Sequence, residues 1–149
     1  MKHKTYRKGF TLIELLVVIG IIAILAAIVV IAVNPGKQYG QARDAQRWSD
    51  VNALLNGIHQ YAADNNGSFP AAIPATATVM GSGSGQYDVC SYVVPKYLAS
   101  MPFDPSATGA SYTTCATYNT GYTISLVGGR VTIAAPSKEQ STGNITLTR

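Results

Sequence analysis

The chain has 149 residues, enough for one modest domain, and 47% of them are hydrophobic. Its formal charge of +4 rests on 11 Lys and Arg against 7 Asp and Glu, and Lys2, Lys4, Arg7 and Lys8 account for the whole excess. The rest of the chain is neutral, with Lys37, Arg43, Arg47, Lys96, Arg130 and Lys138 scattered, so the basic stripe of a nucleic-acid binder is missing and no direct nucleic-acid partner is expected.

From Phe10 to Val33 only Thr11 and Glu14 are clearly polar. At ~1.5 Å per residue this run makes a helix of about 36 Å, longer than the ~30 Å hydrocarbon core of a bilayer. A basic cluster beside an apolar span stays cytoplasmic, which puts the N-terminus inside and everything after Asn34 outside. The run exceeds the apolar region of about 7–15 residues in a secretory signal, and no A-x-A site with a polar follow-on succeeds it, so a cleaved and secreted chain is disfavoured. A plain signal anchor remains as an alternative.

Glu14 is the anomaly. A carboxylate near a bilayer core costs roughly 2.5–3.5 kcal/mol and normally faces a partner instead of lipid. The span holds no Lys or Arg. Cutting between Gly9 and Phe10 would create an α-amine at Phe10, positively charged at neutral pH. That amine and Glu14 stand at i and i+4, so they could meet on one helix face, or between axially shifted neighbours, which would make a polymer.

Lys8-Gly9-Phe10-Thr11-Leu12-Ile13-Glu14-Leu15-Leu16 resembles the processing and assembly motif of type IV pilins and of the related pseudopilins of type II secretion. The resemblance implies that residues 1–9 are a leader removed by a prepilin peptidase after Gly9, and that the new terminus, Phe10, is methylated. It also implies that Glu14 pairs with a neighbour's N-terminus and sets axial register in a filament. Residues 10–33 would be the membrane-spanning helix before assembly and the filament-core helix after it.

Asn34-Pro35-Gly36, with Gly40 soon after, is read as a hinge, because Pro and Gly weaken a helix. Alternatively Asn34 caps and Pro35 opens a second helix. Any melting is placed at residues 34–40; unlike many pilins, the chain has no proline inside the apolar run. Ala45, Trp48, Val51, Leu54, Leu55, Ile58, Tyr61 and Ala62 then recur at three- and four-residue intervals, which predicts an amphipathic helix to about Asp64, stopped by Asn65-Asn66-Gly67. Arg43, Asp44, Arg47 and Asp50 fall mostly off that stripe and read as a solvated charged face or as subunit contacts.

Residues 65–149 are expected to form a globular head. Phe69–Met101 is rich in Pro, Gly and Ser and reads as flexible loop around Gly81-Ser82-Gly83-Ser84-Gly85, with no lysine to make a phosphate cradle. Tyr97–Pro105 forms a rigid turn in which Asp104 accepts a local backbone hydrogen bond, and it is similar to the turn before the sheet in many pseudopilin-like heads. Strands are predicted at Ala110–Thr117, Gly121–Val127 and Arg130–Ala135, with Gly128-Gly129 as a hairpin turn, and at Ile145–Leu147. The predicted fold is α+β: a long N-terminal helix whose second half packs on a small antiparallel sheet.

Cys90 and Cys115 are an even pair in an exported head, where disulfides persist, although two free thiols remain possible. A bridge there would stabilise by about 3.5 kcal/mol in the chain-entropy model. His3 and His59 are too far apart to suggest a metal cluster or a catalytic triad, and His59 reads as a partly exposed helix residue. Asp64, Asn65, Asp88 and Asp104 offer oxygens but match no calcium loop. No cofactor and no enzymatic activity are expected. Asn66-Gly67-Ser68 and Asn144-Ile145-Thr146 match the N-glycosylation acceptor pattern and read as polar surface segments.

The family resemblance implies a pilus subunit that self-associates into a helical filament. It would be stored in the cytoplasmic membrane and displayed at the cell surface after assembly. Its partners would be the prepilin peptidase and, indirectly, a membrane platform and an assembly ATPase. The alternative within the family is a pseudopilin of a type II secretion or competence system.

Overall fold

A computed structural model describes residues 9–70 and 72–149. The basic leader with His3 lies outside the described residues. The chain divides into two compact units, one ending at Gln38 and one spanning Tyr39–Arg149.

In the first unit, helix α1 runs Leu12–Val33, 22 residues or about 33 Å. None of its residues is buried. Its large apolar side chains stand in the open, among them Ile13 at 69% and Ile31 at 82% exposure, with a mean hydropathy of 3.5. By length and composition it can cross a membrane. The helix begins at Leu12 and not at Phe10, because Thr11 takes an extended backbone (φ −80°, ψ 153°) and caps it.

At the stretch read as a hinge, or as a cap and helix start, a single residue, Asn34, is non-helical. Asn34 closes α1 in the left-handed conformation (φ 47°, ψ 76°). It also accepts the Lys37 amide through its backbone oxygen at 3.1 Å and its side-chain Oδ1 at 3.3 Å. Pro35 therefore occupies the first position of helix α2, Pro35–Asp64, where its missing N–H costs nothing. Gly36 and Gly40 are helical; no unwinding extends over 34–40.

In the second unit, α2 ends where Gly67 (φ 84°) donates back to the Ala62 carbonyl at 2.8 Å. A short helix, α3, spans Cys90–Val93. The sheet comprises β1 (Thr78–Gly81), β2 (Ser111–Thr114), β3 (Thr117–Val127), β4 (Arg130–Ala135) and β5 (Ile145–Thr148), all pairs antiparallel. Strand order is β1-β3-β4-β5, with β2 pairing the start of β3. The β3–β4 hairpin turns on Gly128-Gly129, both with positive φ.

Strand periodicity puts Tyr118, Thr120, Tyr122 and Ile124 of β3 and Val131, Ile133 and Ala135 of β4 inward. All of these except Thr120 meet Val51, Leu54, Leu55 and Ile58 of α2 in one core cluster. Inside the stretch read as flexible loop, β1 pairs with β3, and Gly81–Gln86 is tied down by Gln86 Oε1 accepting the Gly83 amide at 2.8 Å. Strand β3 starts four residues before the predicted Gly121, which sits at a register shift with φ +72°. A Cβ there would lie 3.0 Å from the Ala107 Cβ and 3.1 Å from the Asp104 Cβ, so only glycine fits.

The predicted apolar stripe of α2 is rotated from the observed one. Ala45 and Trp48 are exposed, whereas Asp44, Arg47 and Asp50 are buried, at 4%, 0% and 6% exposure. The inward line is Gly40, Asp44, Arg47, Val51, Leu54, Ile58 and Ala62, which keeps the three- and four-residue spacing but begins with charges. The solvated charged face expected of these residues is corrected accordingly: only Arg43 stays near the surface.

Candidate assembly and processing site

Gly9, Phe10 and Thr11 precede the first helical turn and are exposed, Phe10 at 84%. The Gly9–Phe10 bond thus lies in non-helical backbone. Thr11 and Glu14 form a reciprocal capping box. Glu14 N donates to Thr11 Oγ1 at 3.2 Å, while Thr11 N and Thr11 Oγ1 both donate to Glu14 Oε2 at 2.8 Å. The box satisfies amides that the first helical turn leaves unpaired, and it places a negative charge at the positive end of the helix dipole.

Glu14 therefore has a local role as well as a charge. Glu14 Oε2 is engaged within its own chain, and Glu14 Oε1 has no partner among the described residues. Phe10, Ile13, Val17 and Val18 line a shallow concavity with it, so the carboxylate stands alone among apolar side chains. The sequence signal for this role is Thr-x-x-Glu before an apolar run.

The head holds a second polar centre that hydrophobic patterning does not reveal. Arg47, fully buried, donates to Asp104 through Nε (2.8 Å) and Nη2 (3.0 Å), to Asp44 Oδ1 (2.8 Å), to Ser106 Oγ (2.6 Å) and to Glu139 Oε1 (3.1 Å). Asp44 also accepts three consecutive backbone amides, Glu139, Gln140 and Ser141, at 2.9, 2.6 and 2.6 Å. Arg43 closes the rim with a bidentate pair to Glu139.

Burial alone would raise the Asp104 and Asp44 carboxyls. For Asp104 the Arg47 guanidinium and the Ser106 and Ala107 amides outweigh it, leaving its carboxyl below the usual range; for Asp44 the three amides and Arg47 do, and its carboxyl ends well below that range. Nearby, burial raises the Asp50 carboxyl despite donors from Tyr122 and Gln46 at 2.7 Å each. These contacts fasten the 104–106 turn and the 139–141 loop to α2. They hold side chains in place and present no reactive group.

The oxygens considered for calcium do not converge. Asp64 pairs with Lys96 at 2.7 Å, Asp88 accepts from the Tyr118 hydroxyl at 2.8 Å, Asp104 binds Arg47, and the Asn65 amide donates to Tyr61 O at 2.7 Å. Among the described residues no group of three His, Cys, Asp or Glu could hold a metal ion. His59 is half-buried and packs T-shaped with Phe69, ring centres 5.6 Å apart. Cys90 and Cys115 form a disulfide with Cα atoms 5.3 Å apart, linking α3 to the β2–β3 turn.

Residues 4–30 match the family described as the prokaryotic N-terminal methylation motif. The type II secretion system core protein G of Aeromonas hydrophila is 32% identical over 103 residues, 69% of this chain and 70% of that protein. The protein of the same name from Escherichia coli K12 is 30% identical over 105 residues, 70% of each chain. A fimbrial protein of Dichelobacter nodosus is 37% identical over 84 residues, 56% of this chain and 51% of that protein. No solved structure matches the chain. With a capped, fully exposed apolar helix carrying the methylation motif and an α+β head behind it, this chain belongs to the type IV pilin and pseudopilin family.

Proposed function

We infer that the chain is the structural subunit of a type IV pilus, and the observation that carries this reading is Glu14. It is a lone carboxylate at the start of a 22-residue apolar helix with no buried residue, one turn beyond the Gly9–Phe10 bond. Its sixteen or so large apolar side chains, at ~1.5–3 kcal/mol each, would cost tens of kcal/mol if left in water. Lipid covers them before assembly, and copies of the same helix cover them afterwards.

A prepilin peptidase cuts after Gly9, and the Phe10 amine so released is methylated. Glu14 Oε1 accepts that amine from an axially shifted neighbour while Thr11 keeps hold of Oε2. Repeated head-to-tail contact of this kind makes an open helical polymer instead of a closed ring. Residues 10–33 form its core, Asn34-Pro35-Gly36 the joint to α2, and residues 65–149, braced by the Cys90–Cys115 bridge, its surface. Assembly draws on a membrane platform and an ATPase. The subunit is single-pass with its N-terminus inside before assembly, and at the cell surface after it.

The second reading is a pseudopilin of a type II secretion system. It is favoured by the relatives of that name, which align over 70% of their length against 51% for the fimbrial protein. Electron microscopy of fibres sheared from cells, set beside an assay of protein secretion, separates the two. Long fibres built from this chain with secretion unchanged on its deletion support the pilus. Lost secretion without long fibres supports the pseudopilin. Glu14→Val should leave membrane insertion intact and remove fibres; normal fibres from that variant contradict the pairing role.

A further inference from the structure

The turn that ends α2 carries Asn66-Gly67-Ser68, the acceptor pattern for an N-linked saccharide. The pattern alone arises often by chance, so its setting decides. Asn66 and Gly67 both have positive φ, 55° and 84°, which turns the chain sharply away from the helix. The segment from Ala63 to Ser68 is exposed. Among the described residues neither the Asn66 amide nor the Ser68 hydroxyl has a hydrogen-bond partner, although Asn65 beside them is bound to Tyr61 O. Nucleophile and assisting hydroxyl are free, on a bend that an enzyme cleft can grip.

The other match, Asn144-Ile145-Thr146, has the opposite character. The Asn144 Oδ1 accepts from Lys138 at 3.4 Å, Ile145 is in the core at 1% exposure, and Thr146 is registered opposite Ala134 in the β4–β5 ladder. Reaching it would require pulling β5 off the sheet.

We propose that Asn66 is an N-linked glycosylation site whose donor is a saccharide carried on a lipid pyrophosphate. The Asn66 Nδ2 attacks the anomeric carbon, and the C1–O bond to the pyrophosphate breaks. The lipid pyrophosphate leaves with the electron pair, and the amide nitrogen loses one proton. The reaction needs only that the head face the exported side of the membrane, and it is independent of whether the chain polymerises.

The test is peptide mass spectrometry of the full chain taken from its own cells, both from detergent-extracted membranes and from sheared surface material. A saccharide mass on the peptide holding Asn66 is expected in wild type, lost in Asn66→Gln and in Ser68→Ala, with Asn144 bare. Both substitutions are on the exposed turn, and an intact Cys90–Cys115 bridge in the variants reports that the head has folded. A bare Asn66 in wild type, a saccharide that survives Ser68→Ala, or one found on Asn144 in its place overturns the proposal. Because the membrane pool is read as well, failure here is distinct from failure to form fibres.

Discussion

Replacing Arg47 with Met removes the cation at the centre of the head while keeping most of its volume. Asp44 would keep its three backbone amides, and Glu139 would keep Arg43. Asp104 is the group left stranded: its side chain is 0% exposed and would retain only the Ser106 and Ala107 amides, each at 2.9 Å. Removing one partner of a buried ion pair costs about 3–5 kcal/mol, most of it the penalty on the uncompensated charge. In a domain of this size each kcal/mol is worth about 4 °C, so the midpoint should fall by about 12–20 °C.

The chain has one tryptophan, Trp48, next to Arg47 and 39% exposed, so fluorescence of the full chain in detergent follows the unfolding of this region of the head. Arg47→Met combined with Asp104→Leu removes both charges and should recover most of the loss. A single substitution costing under about 1 kcal/mol, or a double variant no better than the single, would refute the reasoning.

The same carboxylates set the acid limit. Asp44, Asp104 and Glu139 all titrate below their ordinary values in the folded head, Glu139 at about 2, where Arg43 is the main cause. Groups with depressed folded values contribute stability above the unfolded carboxyl range. That contribution is lost as pH falls through the folded ones, so denaturation midpoints should decline below about pH 4. Asp50 runs the other way: burial raises its carboxyl, so Asp50→Asn should relieve a penalty present at neutral pH, provided the donors from Tyr122 and Gln46 are still accepted. An acid profile that stays flat down to pH 2 would contradict the pairing of these ions. Gly121→Ala forces a Cβ to 3.0 Å from Ala107 at φ +72° and should cost about 1–3 kcal/mol in the same unfolding assay; an unchanged midpoint would contradict the described bulge.

What could be read from the residues follows what local pattern can encode. The apolar helix, which starts at Leu12 two residues inside the run that opens at Phe10, the stop at Asn65-Asn66-Gly67 and the Gly128-Gly129 hairpin are each fixed by neighbours a few positions away. The orientation of α2 is not local. Arg47 reaches Asp104 at a separation of 57 positions and Glu139 at 92, and until those partners arrive a charged residue looks as though it belongs in water. Strand β1 hid for a related reason: Thr78-Val79-Met80-Gly81 is short and set among Gly and Ser, and it becomes a strand by pairing with β3. At the start of α1, Thr11-x-x-Glu14 is a capping-box pattern that the local sequence encodes by itself.

On the function proposed for this chain, Glu14 is tolerated in an apolar helix because cleavage after Gly9 supplies an ammonium group on the next copy. Mass spectrometry of the subunit in sheared surface fibres, run on the intact chain and on its N-terminal peptide, tests this directly. The expected result is a chain that begins at Phe10 and carries a methylated amine. Fibres whose subunits retain residues 1–9, or begin at any other position, would contradict it.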